Sequence, residues 1–103
     1  MALVPASLDL RITPIVRKHI ESFITSTGRP DAVATLMVDV DGKWSIGAYY
    51  QENIDGLRPL YQEKGWPLLY ACDGLTLAIP QYQVLSTLRG RTLDRTTDGY
   101  VVR

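Results

Sequence analysis

The chain has 103 residues, 46% of them hydrophobic, with 11 basic and 11 acidic side chains. That size and apolar content suit one domain around one core and exclude a disordered chain. The zero net charge is also local, with five residues of each sign in 1–51 and six of each in 52–103. This removes the electrostatic case for a nucleic-acid or membrane partner.

Residues 1–11 read as an N-terminal arm in which Leu8 and Leu10 could add a short edge strand. The start lacks the basic and long apolar segments of a secretory leader, and the single cysteine, Cys72, fits a reducing compartment; the expected location is cytoplasmic. Thr13-Pro14 opens a helix over residues 14–27, with threonine as cap and proline at the first helical position. Its apolar face is Val16, Ile20, Phe23 and Ile24, and Gly28 with Pro30 stops it.

Residues 33–39 and 43–50 form a hairpin. A three-residue loop, Val40-Asp41-Gly42, sets Val38 against Trp44 and Leu36 against Ile46. A two-residue turn would mix apolar and polar faces, so the pattern selects the longer loop. Residues 51–67 read as irregular: Asn53 and Gly56 suggest a turn, and Pro59 limits Leu57, Leu60 and Tyr61 to one helical turn. Strands 68–72 and 75–79 then flank Asp73-Gly74, and a two-residue primed turn puts Tyr70 opposite Leu77 and Cys72 opposite Leu75. Val84, Leu85 and Leu88 give a short helix closed by Gly90. A last hairpin, 92–95 with 100–103, turns at Asp98-Gly99. The expected fold is α+β, mainly β, with one N-terminal helix on about six short strands.

No catalytic constellation is visible, so an enzyme is not expected. There is no phosphate-binding glycine loop and no nucleophile elbow. His19, alone on the flank of the helix, reads as a contact to the sheet, since a zinc site needs three or four clustered ligands. Cys72 reads as a small buried hydrophobe facing Leu75; the alternative makes it a candidate metal ligand. With balanced charge, a partner must be held by apolar and aromatic contact, and the candidate surface is Leu57, Tyr61, Trp66 and Tyr100. The last strand, 100–103, offers an edge for a second copy, so a homodimer is expected.

The order of elements carries a resemblance. Ile12-Thr13-Pro14 leads a helix and hairpin; Asp73-Gly74-Leu75-Thr76-Leu77-Ala78-Ile79 follows; then come Gly90-Arg91-Thr92-Leu93-Asp94 and Gly99-Tyr100-Val101-Val102. This resembles the HesB-like family, the A-type carriers of iron–sulfur cluster assembly, over nearly the whole chain. The resemblance implies a single domain over 12–103 folded as a twisted pseudobarrel of short strands, and a role related to iron–sulfur cluster biosynthesis. The family's carriers hold clusters with a cysteine after the early strands and a C-terminal Cys-Gly-Cys. Here residues 42–47 contain no cysteine, the chain stops at Arg103, and Cys72 matches no family ligand. The resemblance therefore carries over no cofactor ligand, and the expected function is a small binding or accessory module. The alternative is an iron or cluster carrier using Cys72 and non-cysteine ligands across a dimer.

Overall fold

The computed structural model describes residues 5–103. In chain order it comprises β1 (Ala6–Ser7), β2 (Leu10–Ile12), α1 (Pro14–Ser26), β3 (Val33–Val38), β4 (Trp44–Tyr49) and α2 (Gln51–Lys64). There follow β5 (Leu69–Cys72), β6 (Leu75–Ala78), a 3-10 turn (Tyr82–Val84), α3 (Leu85–Leu88), β7 (Arg91–Thr96) and β8 (Gly99–Val102). The fold is α+β: one mixed sheet of eight strands, ordered β1-β5-β6-β3-β4-β8-β7-β2, with helices packed on it.

The two end strands of that order, β1 and β2, are neighbours in sequence. β1 runs parallel to β5, and Leu8 N donates to Ala71 O at 3.0 Å; two residues later β2 runs parallel to β7. Three residue steps span at most about 10 Å, so this segment draws the sheet's ends together and closes it on itself. The described part of the expected arm is therefore wall and core: Leu8, Leu10 and Ile12 are buried, Leu10 at 2% exposure. Residues 1–4 of that arm lie outside the described residues.

α1 starts and stops where its sequence signals lie, but two details differ. The Thr13 side chain does not cap the helix; its hydroxyl donates to Asp94 Oδ1 at 3.1 Å on β7. Of the expected apolar face, Val16 and Ile20 are buried and Ile24 packs on the core, whereas Phe23 stays 37% exposed. The row 16-20-24 makes the contact, and Phe23 belongs to the next row, 15-19-23, along the flank.

The β3–β4 register is the expected one, Val38 across from Trp44 and Leu36 from Ile46. Gly42 takes φ 80° in the three-residue loop, and Asp39 Oδ1 accepts from Asp41 N and Lys43 N, each at 2.9 Å. The β5–β6 register also matches, Tyr70 with Leu77 and Cys72 with Leu75. Asp73 and Gly74, at φ 50° and 82°, form the primed turn. Asp73 is also a tie point: its Oδ2 accepts from Ile12 N at 3.0 Å, and Arg17 donates to its carbonyl. The β7–β8 turn differs. Thr96 pairs with Gly99, so Thr97 and Asp98 are the central residues and Gly99 is in the strand.

The larger correction is α2. The segment expected to be irregular is a 14-residue helix. Asn53 Oδ1 accepts from Tyr50 N at 2.9 Å at its start, and Gly65 closes it at φ 70°. Ile54 and Tyr61 are buried and Leu57 half-buried, a helical 3-4 spacing. Gly56 and Pro59 disfavour a helix by about 1 and about 3 kcal/mol relative to alanine, which hides it locally. The burial of Ile54 and Tyr61 with Leu68, against Val33, Tyr49, Leu57, Trp66 and Leu69, supplies the opposing gain in a second, smaller core. Among the described residues no helix is long and apolar enough to cross a membrane.

Candidate functional site

Cys72 ends β5, where the pleat turns it inward. It is 0% exposed, in the main core with Tyr70 and Leu77, and its nearest polar partner is the Tyr70 carbonyl at 3.8 Å from Sγ. Burial, helped by the nearby Asp73 charge, pushes the thiol up to about 12. A ligand or nucleophile needs an accessible thiolate, and this thiol is neutral and enclosed. Among the described residues no three histidine, cysteine, aspartate or glutamate side chains are placed to hold a metal together. The residues present do not fit an iron–sulfur cluster: residues 42–47 offer no thiolate, and the one thiol points into the core. In this position Cys72 presents no accessible thiolate to a second copy either.

The candidate partner surface divides. Tyr61 is buried, its hydroxyl donating to the Pro80 carbonyl, and burial raises its pKa. Leu57 is half-buried against the same cluster. Tyr61 completes the packing of α2, and Leu57 packs there while keeping part of its surface open. Trp66 is half-buried and stacks on Tyr82, with centroids 4.6 Å apart and planes 4° apart; Lys64 Nζ lies 4.9 Å from its ring centre. Tyr82 keeps an exposed apolar face beside Trp66, and Leu60 on α2 is 47% exposed.

Tyr100 is not on an edge. β8 lies between β4 and β7, and Tyr100 packs on the main core. The strand expected to recruit a second copy is interior because it pairs with β7 on one side and meets β4, Tyr100 against Trp44, on the other. Tyr100 and His19 hydrogen-bond through the hydroxyl and Nδ1, their rings 5.6 Å apart, so His19 contacts the sheet as expected. Arg95 covers the Tyr100 ring from 5.6 Å, and burial raises the phenol's pKa.

Two other groups of charged side chains have structural roles. Buried Asp94 accepts from Thr13, from Arg95 N at 2.7 Å and from Arg103, tying α1 and the chain's last residue to β7. Arg29 bonds both Asp31 and Glu52 and lies 4.2 Å over the Tyr50 ring, joining the α1–β3 loop to the start of α2. Its guanidinium holds both carboxyls below their usual range. Gln81 is a residue the sequence did not mark: its amide donates to Val38 O at 2.7 Å and accepts from Val38 N at 2.8 Å, standing in for a strand residue beside β3. No periodic signal distinguishes such a glutamine from a surface one. Between α1 and the β3–β6 pair lies an open cavity of about 370 Å³, lined by Ile20, Ile24, Val33, Ala34 and Leu75 among others. No family model matches the chain, and no curated protein matches it.

Proposed function

We propose that this chain is a HesB-like domain that serves as a small polypeptide-binding accessory module rather than as a cluster carrier. One observation carries the reading: the single thiol is consumed in core packing, while α1 leaves the apolar side chains of Ile15 and Phe23 at the surface. Apolar groups held outward on a rigid helix suit contact with another polypeptide. The resemblance in the Asp73-Gly74 strand pair, in Gly90 to Asp94 and in Gly99 to Val102 supports the family part of the proposal.

Anaerobic purification with iron and acid-labile sulfide analysis tests it. The expected result is neither in stoichiometric amount, with Cys72→Ala leaving the content unchanged. Stoichiometric iron or sulfide, lost in Cys72→Ala, overturns it in favour of a carrier. The homodimer remains a proposal with a changed surface, since β8 is interior: it would use the exposed Leu60 of α2 and the stacked Trp66 and Tyr82. Sedimentation at micromolar concentration, with Leu60→Glu as the disrupting variant, tests that part.

A further inference from the structure

The ladder between β4 and β8 holds a single residue pair, Trp44 with Tyr100, whereas β4 runs on to Tyr49 and is paired with β3 along its whole length. In an antiparallel pair, residues of one parity direct both N–H and C=O to the same neighbour. Asp39 N donates to Lys43 O at 2.9 Å, so Lys43, Ser45, Gly47 and Tyr49 face their backbone groups toward β3. Trp44, Ile46 and Ala48 turn theirs the other way. Trp44 meets Tyr100, and Tyr50 N is satisfied by Asn53. Among the described residues Ile46 and Ala48 meet no strand there, which leaves two donors and two acceptors alternating along an open edge.

A helix flank runs beside this edge. His19 is at the level of Tyr100 and hence of Trp44. Ile24 lines a cavity with Ala34, which pairs with Ala48. α1 thus follows β4 from Trp44 toward Ala48. Phe23 lies one turn beyond His19 on the same row, about 6 Å further along the axis, which brings it level with Ile46. Phe23 is exposed, and Ile46 and Ala48 are half-buried. At the Tyr100 end Arg95 is exposed and has no acidic partner among the described residues.

We propose that the free β4 edge at Ile46 and Ala48, flanked by Phe23 and ended by Arg95, receives an extended peptide by strand addition, in line with β8 and with an acidic residue at its C-terminal end. Alternating donors and acceptors at strand spacing are matched by a polypeptide main chain, and the unpaired Arg95 selects the acid. A second copy is disfavoured. Pairing two β4 edges about Gly47 would bring the second copy's Tyr50 to Trp44, where Tyr100 already sits. The proposal rests on the reading of the chain as a polypeptide-binding module. Bound stoichiometric iron would remove that reading whatever a peptide does, whereas failure below removes only this edge.

The test is amide exchange and chemical-shift mapping by NMR, with an acetylated, amidated pentapeptide of sequence Val-Ala-Val-Ala-Asp. The Ile46 and Ala48 amides are expected to exchange freely in the unliganded protein, to slow when peptide is added, and to shift together with Phe23 and Tyr100. Ala48→Pro removes one edge donor and no bond to β3. It is expected to weaken peptide binding about fivefold, the weight of one hydrogen bond, with β3 amides still protected. Replacing the terminal aspartate by lysine is expected to weaken binding, and Arg95→Glu to reverse that preference. The proposal is overturned if the two amides are as protected as those of Ser45 and Gly47 without peptide, or if peptide leaves them unmoved. Protection that grows with protein concentration assigns the edge to a second copy, and a lysine preference in the wild type removes the Arg95 role; each overturns it.

Discussion

Gly47 shows how one missing side chain is fixed by its neighbour across the sheet. A Cβ added there would lie 3.0 Å from Thr35 Oγ1, and Thr35 is 1% exposed with its hydroxyl unpartnered among the described residues. Gly47→Ala is therefore expected to lower unfolding free energy by about 1–2 kcal/mol through overpacking. In a Thr35→Ala background most of that loss should vanish, and strict additivity of the two changes would sink the account. Cys72 gives a second test. Cys72→Ala leaves a small cavity and should cost about 1 kcal/mol or somewhat more. The sign with pH follows from burial: the folded thiol stays neutral up to about 12, above its ordinary value of 9.0. An unfolded chain would ionise first, so this contribution is full below pH 9 and is lost as pH climbs toward 12. Burial also raises Tyr70, to about 12, which acts in the same direction. Denaturant unfolding should show stability falling across that window, and less steeply in Cys72→Ala. An unchanged slope in the variant would mean that the thiol is not enclosed.

At the scale of elements, α2 is where local preference and tertiary burial conflict. Gly56 is exposed within the helix, and nothing lies within 4 Å of a Cβ built on it. Gly56→Ala should therefore stabilise the protein by about 1 kcal/mol, the difference in helix propensity. A loss of thermal stability would show that the segment is not a helix in solution. The β3–β4 and β5–β6 hairpins show the opposite case, in which turn chemistry and apolar pattern agree. Asp41-Gly42 closes a three-residue loop and Asp73-Gly74 a two-residue turn, and in each case only one register keeps the apolar faces together.

For the molecule as a whole, the N-terminal segment decides whether the sheet has ends. β1 on β5 and β2 on β7 join opposite ends of the strand order through Leu8 and Asp9, and Gly90 N donates to Asp9 O at 2.6 Å. Leu10 lies in the same core as Leu93 and Leu88. Leu10→Ala should then cost about 2–5 kcal/mol, as in a packed interior. A loose arm would show a change below about 0.5 kcal/mol, and a midpoint shift in denaturant separates the two. Closure leaves a gap beyond Trp44 and Tyr100, where β4 outruns β8.

What the sequence determined by itself is what nearest neighbours decide. Pro14 and Gly28 bound α1, Asp-Gly pairs turn the first two hairpins, and alternation sets which side chains share a face. The inward position of Cys72 was legible for the same reason, since its register with Leu75 follows from a two-residue turn. Tertiary structure alone decided the rest. Residues 51–64 become a helix because Ile54 and Tyr61 are buried against Leu68, a gain invisible beside Gly56 and Pro59. β8 is interior, and Tyr100 with it, because β4, more than fifty residues earlier, meets it at Trp44 on the side away from β7. The open groups of Ile46 and Ala48 depend on where β8 leaves β4. No local pattern encodes that, because a strand's free edge is defined by its neighbours and not by its own side chains.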